Sequence, residues 1–129
     1  MRVLRPVISA ICLAVFVAGC STTEPKPSTE TVSTRNLYPN ETPELRAMIV
    51  AAARENDVPV SLVQRVVIRE STHRPEARNG PYYGLMQILP ATARSMGLRG
   101  QPRDLLDAET NLKYAVKYLR GAWLLADGS

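Results

Sequence analysis

Cysteine, histidine and the aromatics are scarce in this 129-residue chain, which has two Cys, one His, one Trp and one Phe. Both cysteines, Cys12 and Cys20, lie near the N-terminus. The sequence beyond them has no thiol pair for a disulfide and no cysteine-based zinc site, so neither metal nor organic cofactor is implied. No apolar run reaches the roughly 20 residues of a membrane-spanning helix. Thirteen of the sixteen basic residues are arginines, scattered among twelve acids, and no basic run is interleaved with aromatics. That distribution argues against a nucleic-acid partner. No strand-like alternation of apolar and polar residues stands out, so the expected class is all-α.

What is present starts with a leader. Met1-Arg2-Val3-Leu4-Arg5 carries two positive charges, and an almost unbroken apolar run from Val7 to Ala18 follows. A basic start, a short apolar middle and small residues at its end read as a secretory signal peptide over 1–19. The ending Val17-Ala18-Gly19-Cys20 resembles the lipobox of bacterial lipoproteins. That resemblance implies acylation of Cys20 and a lipid anchor in the cell envelope, on the periplasmic side and at the outer membrane. Without the leader's Arg2 and Arg5 the formal charge falls from +4 to +2. Residues 20–41 are rich in Ser, Thr, Pro and Glu and read as a disordered tether.

The folded part is expected over 42–129, as a monomer. Thr42 suits a helix N-cap, Pro43 the first helical position, and Leu45, Met48, Ile49, Ala52 and Ala53 follow helical spacing to Asn56. A second helix is expected after Pro59, capped by Ser61. Asn79-Gly80-Pro81 reads as a turn, Gly84 to Ile88 as a short helical stretch, and Ala91 to Met96 as a helix stopped by Gly97. Asp107 is expected to cap a last helix with the stripe Leu112, Ala115, Val116, Leu119, Ala122 and Trp123.

In the second helix Val63, Val66, Val67 and Glu70 recur at i, i+3, i+4 and i+7. An acid on an apolar face is unusual, because buried carboxylates are rare unless paired or used. Desolvation by valines and the negative end of the helix dipole would both hold the proton on, as a general acid requires near neutral pH. The plainer alternative is a glutamate that ends a helix and pairs with a nearby arginine, Arg69 or Arg74.

The surrounding residues add a resemblance. Glu70-Ser71, then Pro75 and Ala77, then Gly84-Leu85-Met86-Gln87-Ile88 and Pro90-Ala91-Thr92-Ala93 are similar to the soluble lytic transglycosylase family. The likeness runs from about Val58 to Leu119. It implies a lysozyme-like, goose-type helical domain acting on peptidoglycan glycan strands. By the same resemblance Glu70 is the acid and base, and Ser71 caps or orients the turn after it. Met86 and Gln87 line the groove, Gln87 offering its amide to an acetamido group or hydroxyl. Of Tyr82 and Tyr83, one stacks on a sugar and the other packs, with Tyr83 as the candidate. Trp123 is expected in the core, and His73 is given no chemistry.

One acid suffices in such a reaction. It protonates the leaving oxygen, and the N-acetyl group stabilises the oxocarbenium-like centre. The carboxylate then takes the proton of the sugar's own 6-hydroxyl, whose intramolecular attack is entropically favoured over that of water. The sequence departs from the family at two places. Asn79 stands where relatives commonly carry a serine that helps hold the carboxylate, and the loop before Gly84 is one residue shorter. The family also continues to an Ala-Tyr-Asn segment, so 42–129 reads as the N-terminal part of such a domain, without its C-terminal helices. A lysozyme-type hydrolase and an inactive peptidoglycan-binding lipoprotein are the competing readings.

Overall fold

The computed structural model describes residues 36–129. Cys20, the leader and most of the expected tether lie outside them. Four helices follow in order: α1 over Pro43–Glu55, α2 over Val60–Ser71, α3 over Pro90–Ser95 and α4 over Ala108–Leu125. A two-stranded antiparallel hairpin, β1 over Arg78–Asn79 and β2 over Tyr82–Tyr83, separates α2 from α3. A 3-10 turn over Pro102–Leu106 precedes α4. The all-α reading holds, the hairpin being its only strand content among the described residues.

The helix starts follow their capping chemistry. Thr42 Oγ1 accepts from Leu45 N at 3.1 Å with Pro43 at the first position of α1, and Asp107 Oδ1 accepts from Thr110 N at 2.8 Å at the start of α4. α2 differs from expectation: it begins at Val60 after Pro59, and no side chain caps it. Pro59 supplies the turn instead, its carbonyl accepting from Leu62 N. Gly84 to Gln87 is a turn, not a helix, because Tyr83 and Ile88 bridge across it with two backbone bonds of 3.1 Å.

α1 packs against α2 and α4, while α3 and the 3-10 turn pack on α4. Ile49, Val63, Val67, Leu85, Leu105, Leu112 and Val116 are fully enclosed in the resulting core. Each buried apolar side chain of this size contributes about 1.5–3 kcal/mol relative to exposure. The stripe on α4 fades toward its end. Leu112, Ala115 and Val116 are buried, but Ala122 is exposed and Trp123 only half-buried against Gly128. Trp123 is therefore not core.

The fold also begins earlier than the composition indicates. Glu41, expected in the tether, has a side chain with 0% exposure. Its carboxylate is bonded to Arg46 Nη2 at 2.6 Å and Nε at 3.0 Å, to Gln64 Nε2 at 2.7 Å and to Tyr38 N at 2.9 Å. A single acid satisfied four ways ties residues 38–41 to α1 and α2.

Candidate functional site

α2 ends abruptly at Ser71, one residue after Glu70. Thr72 and His73 both adopt left-handed backbone, with φ of 52° and 58°. Non-glycine residues hold that conformation only when the surroundings fix it. Here Asn40 Nδ2 donates to Thr72 O at 3.0 Å, and the buried His73 ring stacks on Tyr38 at 5.3 Å between centroids. His73 Nε2 lies 2.7 Å from Gln64 Oε1. Burial pushes the imidazole below its ordinary 6.5, Glu41 opposes that shift, and Arg46 adds to it. The segment before α1 thus braces the turn that positions the end of α2.

The opposite wall is made by the turn between β2 and α3. Gly84 has φ of 72°, and a Cβ there would overlap Leu105 O and the Asn111 amide. Asn111, fully buried on α4, donates from Nδ2 to Tyr83 O and Leu105 O, both at 2.8 Å, and accepts from Met86 N at 3.0 Å. Sequence reasoning passed Asn111 over as an ordinary helix residue. A polar residue inside the apolar stripe beside Leu112 was the available signal. Gln87 is also left-handed, at φ of 47°, and its amide nitrogen donates to Ala77 O at 3.1 Å and Gly84 O at 2.8 Å. With both N–H groups committed to backbone, Gln87 offers a ligand its carbonyl oxygen.

Glu70 and Gln87 line two adjoining cavities. One, of about 320 Å³, is walled by Val66, Met86, Ile88, Leu89, Ala115 and Leu119, with Tyr82 and Tyr118 on it as well. The other, of about 470 Å³, is polar and is lined by Arg74, Glu76, Ala77, Arg78 and Asn79. Glu70 stands between an apolar, tyrosine-bearing compartment and a charged one.

The expected residues fall into two groups. Glu70, Asn79, Met86 and Gln87 face this groove. Ser71 and Tyr83 do not contact it. Ser71 is buried and its hydroxyl donates to Val67 O at 3.2 Å, so it fastens the helix end and is not placed to contact a ligand. Tyr83 faces a separate cavity with Gln101, Pro102 and Arg103, under the Arg78 guanidinium at 4.6 Å. Of the two adjacent tyrosines, Tyr82 is the one that reaches the groove, because consecutive strand residues point to opposite faces.

Glu70 itself is not enclosed. Its side chain is 39% exposed, so the expected enclosure among the valines is not found. Val63 and Val67 turn into the core, while Glu70, on the same face but at the open end of the helix, lines the groove beside Val66. The arginine alternative is weak as well. Arg69 Nε lies 3.9 Å away on a side chain 87% exposed, and Arg74 Nε bonds to Ser71 O at 3.1 Å. Exposed pairs of that kind contribute little. Among the described residues no three His, Cys, Asp or Glu side chains converge as a metal site.

The family model described as "Transglycosylase SLT domain" matches residues 47–125, from α1 to the end of α4. The chain belongs to the transglycosylase SLT domain family. Every groove residue named above falls inside the match, whereas Tyr38 and Glu41 lie before it. The helical architecture agrees with the lysozyme-like domain of SLT proteins. Neither a curated protein nor a solved structure matches the chain significantly. Membership of the SLT family implies a peptidoglycan glycan as the substrate of the domain.

Proposed function

We propose that this SLT domain is a peptidoglycan lytic transglycosylase that cleaves the β-1,4 bond between N-acetylmuramic acid and N-acetylglucosamine. The observation that carries the reading is Glu70 at the junction of the two cavities, the one carboxylate common to both. Tyr82 and Tyr118 on the apolar side offer flat faces for sugar rings. Gln87 Oε1 accepts from an acetamido N–H or a hydroxyl. Glu70 then gives its proton to the glycosidic oxygen as the bond breaks, and the sugar's N-acetyl oxygen shields the cationic C1. The C6 hydroxyl attacks C1, its proton returns to Glu70, and a 1,6-anhydro end results. Asn79, which lines the same cavity, steadies the carboxylate side of the groove in this reading.

The exposure of Glu70 favours a second reading, in which water replaces the 6-hydroxyl and the protein is a hydrolase. Mass spectrometry of sacculi digested by the purified protein separates the readings. Muropeptides lighter by one water than hydrolysis products are expected. Reducing-end products alone would establish the hydrolase, and retained glycan binding without any product would mark an inactive binding lipoprotein. We further propose that Cys20 is acylated and holds the domain at the periplasmic face of the outer membrane, with the residues up to 35 as the link.

A further inference from the structure

Glu70 is followed by a single helical residue, so its place in the groove depends on what holds the turn after α2. That turn carries two consecutive left-handed residues, Thr72 and His73. Such backbone persists in non-glycine residues only where contacts from elsewhere fix it. Three contacts reach the turn from residues 38–41. Asn40 Nδ2 donates to Thr72 O at 3.0 Å, across 32 positions of sequence. The Tyr38 ring lies on the His73 ring, 5.3 Å between centroids and 7° from parallel. Glu41 Oε1 accepts from Gln64 Nε2 at 2.7 Å, which turns that amide so that its Oε1 accepts from His73 Nε2, also at 2.7 Å. The imidazole proton is thereby placed on Nε2, and Nδ1 is a buried acceptor without a partner. The bond to Gln64 fixes the plane of the ring on which Tyr38 rests. Tyr38, Asn40 and Glu41 all precede residues 47–125, the part matched by the SLT family model, so the hold on the Glu70 turn comes from outside the matched segment.

We propose that Tyr38, Asn40 and His73 are positioning residues for Glu70: the segment before α1 clamps the Thr72-His73 turn and so sets where the carboxyl stands in the groove. The inference rests on the glycan-cleaving reading, with Glu70 as the acid and base. None of the three lines either cavity beside Glu70, so they act through the backbone of the last turn of α2. The tyrosines offered to sugar are carried elsewhere, Tyr82 on β2 and Tyr118 on α4. Loosening the clamp therefore moves the acid and leaves the sugar contacts in place. A misplacement of about 1 Å at a reacting group can cost up to about 10²-fold in rate.

The test is steady-state cleavage of a soluble peptidoglycan glycan oligomer by the full chain and three variants. Tyr38→Ala removes the stacked ring and Tyr38→Phe keeps it, while the Tyr38 backbone N–H that binds Glu41 is common to both. Asn40→Gly removes the amide donor and keeps the backbone, because glycine readily adopts the φ of 61° found there. Tyr38→Ala and Asn40→Gly are each expected to lower kcat about tenfold with KM within about twofold of the parent, and Tyr38→Phe to restore kcat. Both residues are exposed, so the variants should fold, which circular dichroism checks. If Tyr38→Ala does not fold, Asn40→Gly decides the matter. Parent kcat in either of these variants, a rise in KM alone, or a Tyr38→Phe chain as slow as Tyr38→Ala overturns the clamp and leaves the glycan reading standing. No cleavage by the parent chain overturns the glycan reading and the clamp with it.

Discussion

Asn111 on α4 accepts a hydrogen bond from the backbone N–H of Met86 at 3.0 Å, so one buried side chain fixes the groove wall that faces Glu70. Its amide nitrogen holds Tyr83 O and Leu105 O, so it binds three backbone groups from two segments. Asn111→Ala should lower unfolding stability by roughly 2–5 kcal/mol, because Met86 N and Leu105 O would lose their Asn111 partner in the core, whereas Tyr83 O keeps its bond from Ile88 N. Gly84→Ala should destabilise too, since its left-handed backbone and lack of space both exclude a Cβ. Urea denaturation measures both. A loss below about 0.5 kcal/mol for Asn111→Ala would show that water or local rearrangement replaces these bonds.

Glu70→Gln keeps shape and hydrogen-bonding reach but cannot transfer a proton. Turnover on sacculi should fall roughly 10²–10⁴-fold. Because the side chain is 39% exposed and only loosely near Arg69, stability should stay within about 0.5 kcal/mol. A variant that still cleaves glycan at the parent rate would remove Glu70 from the reaction.

The buried cluster before and after α1 makes stability fall in acid in two stages. Burial pushes His73 below 6.5, so below that pH the unfolded chain takes up a proton that the native state refuses. Stability is then level above pH 6.5 and declines as pH falls beneath it. Burial by itself would push Glu41 up, but the bonds from Arg46, Tyr38 N and Gln64 outweigh it and hold the carboxyl below 4.5. The contribution of Glu41 is present above pH 4.5 and is lost as pH drops through its lowered value. His73→Phe should abolish the first stage and keep the second. A melting temperature unchanged between pH 7 and 5 in the parent would refute the assignment.

Cys20→Ala should release the protein from the membrane fraction or leave the leader uncleaved. Fractionation together with radioactive palmitate labelling checks this. An unlabelled parent and unchanged membrane association in the variant would remove the anchor.

Much of the architecture was legible because it depends on near neighbours. The caps at Thr42 and Asp107, the turn at Asn79-Gly80-Pro81, the stop at Gly97 and the stripe of α4 up to Val116 all arise from residues within a few positions of one another. The Glu70-Ser71 and Gly84-Leu85-Met86-Gln87 segments marked the SLT family for the same reason, each being a short local pattern. Helical spacing located Val63 and Val67 in the core and left Glu70 beside them, since periodicity gives direction around a helix and not distance to solvent.

Tertiary structure alone decided which acid is buried. Glu41 looked like part of a polar tether, yet Arg46, Gln64 and Tyr38 converge on it from distinct parts of the chain, and a carboxylate stays in a core only where such partners meet. Glu70 looked buried and is exposed. The hairpin register made Tyr82, not Tyr83, the one of the two that reaches the groove, because a single residue's slip in a pleated strand reverses the face. Spacing and capping residues thus determined the helices, and short local motifs carried the resemblance to the family. Which side chains are dry, and which share a cavity, followed from contacts between residues far apart in the chain.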